Sequence, residues 1–196
     1  MLKKILLLQL VFVANIYCQT DISSVSASLG VTRNLQFYDP NDFYSLYTEI
    51  EVGGKFIDST TSWHLFLNYF DDHVTEIKPV RDSYIFYSYK SLGVGLKICI
   101  TLLDLSKIDL PFILSVSGGA SLNYVEGKNI LDNPNTNFKY TYDNIYNLHI
   151  GLRTQYSLTE IFDLIAEYSE LIMLNSETNS YVKYRNAVKF GVSMKF

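Results

Sequence analysis

Beyond its first two dozen residues the chain alternates apolar and polar positions with a period of two. That is the pattern of strands, in which successive side chains point to opposite faces. Ser24–Thr32 opens the series, with Val25, Ala27, Leu29 and Val31 on one face and Ser24, Ser26, Ser28 and Gly30 on the other. Tyr44–Gly53 sets Leu46, Thr48, Ile50 and Val52 against Ser45, Tyr47, Glu49 and Glu51. Thr61–Phe70 sets Trp63, Leu65, Leu67 and Tyr69 against His64, Phe66 and Asn68. A fourth segment, Tyr84–Ile100, is regular from Leu92 onward, with Ser91, Gly93, Gly95, Lys97 and Cys99 on its polar face. Tyr87, Tyr89 and Lys90 blur its start and suggest a bulge there.

The fifth segment is Phe112–Glu126, with Ser115, Ser117, Gly119, Ser121 and Asn123 as the polar set. The sixth, Tyr140–Ser157, opposes Tyr146, Leu148, Ile150 and Leu152 to Asn147, His149, Gly151 and Arg153. In the seventh, Phe162–Met173, Phe162, Leu164, Ala166 and Tyr168 alternate with Asp163, Glu167 and Ser169, but the run Leu171–Leu174 breaks the rule. The eighth, Tyr181–Phe196, is the cleanest, with Val182, Tyr184, Val188, Phe190, Val192, Met194 and Phe196 against Lys183, Arg185, Lys189, Gly191, Ser193 and Lys195.

Eight strands and no long helical period predict an all-β fold. Sheet closure is favoured because open edges invite association and are excluded in hydrocarbon. The connections Arg33–Phe43, Asp71–Ser83, Gly127–Lys139 and Asn175–Ser180 are longer and polar. Those after strands 2, 4 and 6 are mostly shorter, although the turn near Leu102–Pro111 is long for its class. Alternate long and short connections predict an antiparallel up-and-down barrel with both termini on the short side.

The residues before the first strand read differently. Lys3 and Lys4, the apolar run Ile5–Ala14 and a polar exit ending at Cys18 form a secretory signal peptide, too short to span a bilayer. The expected division is a signal peptide at 1–18 and a barrel domain at 19–196, with a lipidated Cys18 as the alternative processing. The mature chain would keep 14 basic and 20 acidic residues, a formal charge of −6, and no basic patch suited to nucleic acid. Without Cys18, Cys99 stands alone and no internal disulfide can form. No Cys/His cluster has metal-ligand spacing, and no cofactor is expected.

Alternation does not say which face is outside. A soluble up-and-down barrel turns its apolar face inward to hold an apolar ligand, whereas a membrane barrel turns it outward. Three features favour the membrane. The polar face is rich in Gly and Ser, which suits a crowded lumen. The chain holds 16 Tyr and 12 Phe with only 18% charged residues. Aromatic residues gather at the predicted strand ends, as girdles at membrane interfaces do. The ending Val188, Phe190, Val192, Met194, Phe196, apolar at every second position up to a terminal Phe, resembles the C-terminal signature of bacterial outer-membrane proteins. By pattern over the mature chain it is similar to the small OmpA/OmpX-like outer-membrane barrel domains. The resemblance implies outer-membrane lipids as surroundings and the barrel assembly machinery as a partner during biogenesis. No peptidoglycan-binding domain is expected after Phe196.

On this reading the polar face lines a narrow lumen. Glu49, Glu51, Lys97, Arg153, Glu167, Arg185, Lys189 and Lys195 must then pair and hydrogen-bond, because unpaired burial is costly. An ion path or gate is the sharper alternative, but eight strands leave an interior just filled by side chains. Asp71-Asp72-His73 falls in a predicted outer loop, where an acid–His pair could activate water; a solvated loop is the plainer reading. His149 with Ser157 or Glu167 could be imagined as the dyad or triad of a lipid-modifying enzyme, although no such motif surrounds it. Gly93-Val94-Gly95 and Gly118-Gly119 precede no helix and so are not phosphate loops; relief of crowding explains them better. The resulting expectation is a non-enzymatic integral outer-membrane barrel with a structural or surface-binding role through its outer loops. The alternatives are a lipid-modifying outer-membrane enzyme and a soluble periplasmic barrel.

Overall fold

A computed structural model describes residues 22–34, 45–56, 60–78, 83–131, 139–174 and 184–196. The expected leader, Cys18 and the segment Tyr181–Lys183 lie outside them. The described residues form eight strands: β1 Ile22–Asn34, β2 Ser45–Lys55, β3 Thr61–Lys78, β4 Ser83–Asp104, β5 Phe112–Leu131, β6 Lys139–Ser157, β7 Phe162–Met173 and β8 Tyr184–Lys195. They form one closed antiparallel barrel in sequence order. The ring is completed by β1 against β8, from Ser24 opposite Lys195 to Asn34 opposite Arg185. The Phe196 N–H continues that ladder to the Ser23 carbonyl at 3.0 Å, so the last residue is held rather than frayed.

The predicted faces hold over most of the described positions. Val25, Leu29, Leu46, Ile50, Leu67, Leu92, Ile150 and Phe190 are exposed on the outside, while Glu49, Lys97, Arg153, Glu167 and Lys189 are buried inside. Leu171, which opens the run that seemed to break the rule in β7, turns inward and is 1% exposed. It is a lumen residue of apolar chemistry, as are Tyr47, Phe70, Val125 and Ile145. Trp63 shares the outward parity of Leu65 yet is only 4% exposed.

Two expectations fail on strand length. Asp71-Asp72-His73 is not loop: β3 runs on to Lys78 and pairs with β4 down to Lys78 opposite Ser83. Likewise β5 continues to Leu131, so Gly127–Leu131 is strand rather than connection. The four central strands have 18, 22, 20 and 19 residues, whereas β1, β2, β7 and β8 have 13, 11, 12 and 12. The cause is cross-strand support. Polar side chains do not stop a strand whose neighbours continue to supply hydrogen-bond partners.

The bulge expected near Tyr87 is also displaced. Register between β4 and β5 is unbroken from Ile85 to Thr101 and shifts between Thr101 and Leu103. The extra residue therefore sits at the turn end, where Leu102 and Leu103 both reach the outer face.

Candidate functional site: the lumen and the outer belt

Inside, the residues of β2, β4, β6, β7 and β8 converge on one ion cluster. Lys97 Nζ lies 2.7 Å from Glu49 Oε1 and 3.3 Å from Glu167 Oε2, and it also donates to Glu51. Arg153 Nη1 donates to Glu51 Oε2 at 2.7 Å and reaches Glu167 at 3.4 Å. Lys189 donates to Glu49 and stands 3.2 Å from Glu167. Three carboxylates thus meet three cations, and each carboxylate touches at least two of them. Ser26 adds a hydrogen bond to Glu51 at 3.1 Å, and His64 Nδ1 stands 3.4 Å from the same carboxylate. Every charged head is almost wholly out of water, so the mutual pairing is what makes the burial tolerable.

One oxygen from each of Glu49, Glu51 and Glu167 lies within 4.8 Å of the others, a spacing able to hold a cation. The positions a metal would take are instead held by the two ammonium groups and the guanidinium. The set is therefore chemically a salt-bridge knot.

Towards the long-strand end the polarity changes in layers. Tyr47 donates to Glu49 at 2.7 Å and accepts from Asn68 at 3.3 Å. Asn123 donates to Asn68 and Ser91, each at 3.0 Å, and accepts from Asn147 at 2.8 Å. Beyond this amide layer Tyr47, Phe70, Val125, Ile145, Leu171 and Ala187 pack together as an apolar plug. Arg185 belongs to this level: its guanidinium lies 4.4 Å over the Phe70 ring. With Lys195 it is one of two members of the predicted charged set that lie away from the knot. At the opposite mouth Lys195 lies 2.8 Å from Asp163 Oδ1 and donates to Ser157 at 3.3 Å.

Small residues make room for the large ones. A Cβ on Gly95 would lie 2.3 Å from Phe66 Cζ and 2.6 Å from the Ala120 carbonyl. Gly118 differs from its neighbour Gly119, since a Cβ there meets nothing within 4 Å. Crowding therefore explains Gly93, Gly95 and Gly119 but not Gly118.

The imagined hydrolase groupings are not assembled. Ser157 lies at the turn end with Lys195, and Glu167 is taken up by the cations. His149 Nε2 is instead 2.7 Å from Ser121 Oγ, which donates to Asn123 Oδ1 at the same distance. This Ser–His contact is buried in the amide layer beneath the apolar plug. Sequence reasoning missed Ser121 because two side chains on different strands reveal their shared level only once register is known. Asp71 stands on the outer face, 4.0 Å from Lys90 of the neighbouring strand.

Outside, the pattern of a soluble barrel is inverted. Large apolar side chains cover the exposed face, and most buried side chains are polar or charged. The outward set on β5 runs from Phe112 to Tyr124. Those twelve residue steps, tilted by about 45°, rise about 29 Å, close to a hydrocarbon core of about 30 Å. The belt stops at polar outward residues: Asp71 on β3, Lys90 on β4, Glu126 on β5, Asn144 on β6 and Asn186 on β8. Among the described residues no helix is long and apolar enough to cross a membrane.

No family model matches the chain, and no curated protein matches its sequence. Solved structures do resemble it. The Neisserial surface protein A superposes with a TM-score of 0.66 at 14% identity, covering 90% of this chain and 99% of that one. A major outer membrane protein of Thermus thermophilus gives 0.65 at 11% identity, covering 90% and 100%. The attachment invasion locus protein of Yersinia pestis gives 0.54 at 13% identity, covering 89% and 97%. With a closed ring of eight antiparallel strands, a polar lumen and an apolar exterior, the chain has the fold of the small OmpA/OmpX-like outer-membrane β-barrels.

Proposed function

We propose that the protein is an integral outer-membrane barrel whose lumen is a structural plug and whose work is done outside the membrane. The observation that carries this reading is the overhang of the central strands. β3 and β4 remain paired for seven residue pairs beyond the Asp71–Lys90 row, out to Lys78 and Ser83. At about 3.4 Å per residue that is roughly 24 Å of hairpin measured along the strand. β5 and β6 extend beside it, with Gly127 opposite Thr141 and Asn129 opposite Lys139. A span needs only about 9–11 residues. The excess is therefore a four-stranded sheet standing past the belt.

The short-turn end, near both Ile22 and Phe196, faces the periplasm in this reading, and the projecting sheet faces the cell exterior. The role is non-enzymatic and structural or surface-binding. In support, the Ser121–His149 contact lies sealed in the lumen, where no substrate reaches it. Two proteins of the same fold are described as a surface protein and an attachment invasion locus protein, which accords with a surface role. Protease added to intact cells should cut within 132–138, between β5 and β6. Cleavage confined to the β2–β3 turn near Lys55 would reverse the orientation and sink the proposal.

A further inference from the structure

The turn that seemed too long, between β4 and β5, is unusually greasy. The bulge at Thr101–Leu103 puts Leu102 and Leu103 together on the outer face. A single 3-10 turn, Ser106–Ile108, follows, closed by Ile108 N–H to the Leu105 carbonyl at 3.0 Å, while Leu105 N–H to the Phe112 carbonyl at 3.0 Å joins the two strand ends. Asp109 takes a left-handed conformation with φ 65°, and Ile108 and Leu110 flank it. Ile108 is 65% exposed and Leu110 52%. The neighbouring turn between β6 and β7 repeats the feature with Leu158 and Ile161, both exposed. Backbone bonds join the two: Ser157 N–H donates to the Pro111 carbonyl at 2.8 Å, and Phe112 pairs with Tyr156.

Water-facing turns are built mainly from Gly, Asn, Asp, Ser and Pro. Large aliphatic residues clustered at exposed positions mark a surface that meets something apolar. Here the cluster is continuous with the lipid-facing belt, since Leu102 follows Ile100 on β4 and Ile161 leads into Phe162 on β7. We propose that these two turns form a foot lying in the headgroup region of the adjoining leaflet, with its aliphatic side chains among the acyl chains. The occupant is zwitterionic phospholipid. The turns carry Asp104, Asp109 and Glu160 against Lys107, a net charge of −2, which anionic lipid would repel. Such a foot fixes the depth of one side of the barrel, as interfacial apolar faces do elsewhere. The inference rests on the membrane reading of the belt, and the test separates the two.

The full chain is refolded into phosphatidylcholine vesicles in which part of the lipid carries bromine near the headgroup end of its acyl chains. Ile108→Trp and Ile161→Trp report the foot, and Leu67→Trp reports the belt, each as emission in excess of the native Trp63. Leu158→Trp substitutes for either foot variant that fails to refold. The proposal expects brominated lipid to quench the foot tryptophans as it quenches the belt one, with aqueous iodide ineffective. It also expects no gain in quenching when anionic phosphatidylglycerol is added. Belt quenched with the foot open to iodide would overturn the foot alone. A foot shielded from both quenchers would mean a protein covers it, and would also overturn the proposal. A belt that escapes brominated lipid would overturn the membrane reading and the foot with it.

Discussion

Removing Lys97 from the lumen is the sharpest perturbation of the ion knot. Its ammonium sits 2.7 Å from Glu49 and 3.3 Å from Glu167 and touches Glu51, with 1% of its side chain exposed. At an effective dielectric constant of about 20, a unit pair at 2.7 Å attracts by roughly 6 kcal/mol, and desolvation cancels much of that gain. Breaking a buried pair from one side costs about 3–5 kcal/mol, because a charge is left without compensation. Lys97→Met should therefore lower unfolding stability by about that amount. The knot would be left with three carboxylates facing two cations. Glu49→Gln in the same chain returns it to two against two. The double variant should recover part of the loss, with a coupling energy of about 1–3 kcal/mol. Urea titration of the refolded barrel in lipid vesicles, followed by the heat-shifted band on a gel, measures all four members of the cycle. Strictly additive losses would refute the claim that one neutral knot locks five strands together.

Gly95→Val should destabilise strongly, since its Cβ would collide with Phe66 and the Ala120 carbonyl, whereas Gly118→Val should be nearly silent in the same titration. Leu67→Arg, in the belt, should cost roughly 2–4 kcal/mol, falling to about 0–1 for Tyr69→Arg near its edge; equal costs would contradict the depth assignment. Deleting Phe196 should reduce the folded fraction recovered in the membrane, because its N–H closes on Ser23 and its ring, 72% exposed, ends the outer face. Lys195→Ala should have a smaller effect that grows at low ionic strength, as it removes only the partly exposed partner of Asp163.

Much of this was legible from alternation alone. Glu49 and Glu51 bracket Ile50, so once Ile50 faces lipid both carboxylates must face the lumen. What alternation could not supply is level. Which of Lys97, Arg153, Arg185 and Lys189 meets those carboxylates depends on register between strands far apart in sequence. Register put Arg185 against Phe70 instead. Leu171 departs from the polar pattern of its face, yet an eight-stranded barrel fills its interior and tolerates an apolar layer. Polarity alone marks the Asp71-Asp72-His73 run as a loop. The hydrogen-bond ladder to β4 carries it on. In sequence Leu102-Leu103 reads as one apolar step too many, and only pairing with Leu114 shows both outside.

The central claim is that the apolar exterior meets lipid of the outer membrane. Separation of inner membrane, outer membrane and periplasm, followed by alkaline extraction and gels run with and without boiling, tests it most directly. The account predicts protein in the outer-membrane fraction, resistant to extraction, whose band shifts on boiling. Release into the periplasmic fraction as a soluble species would contradict it.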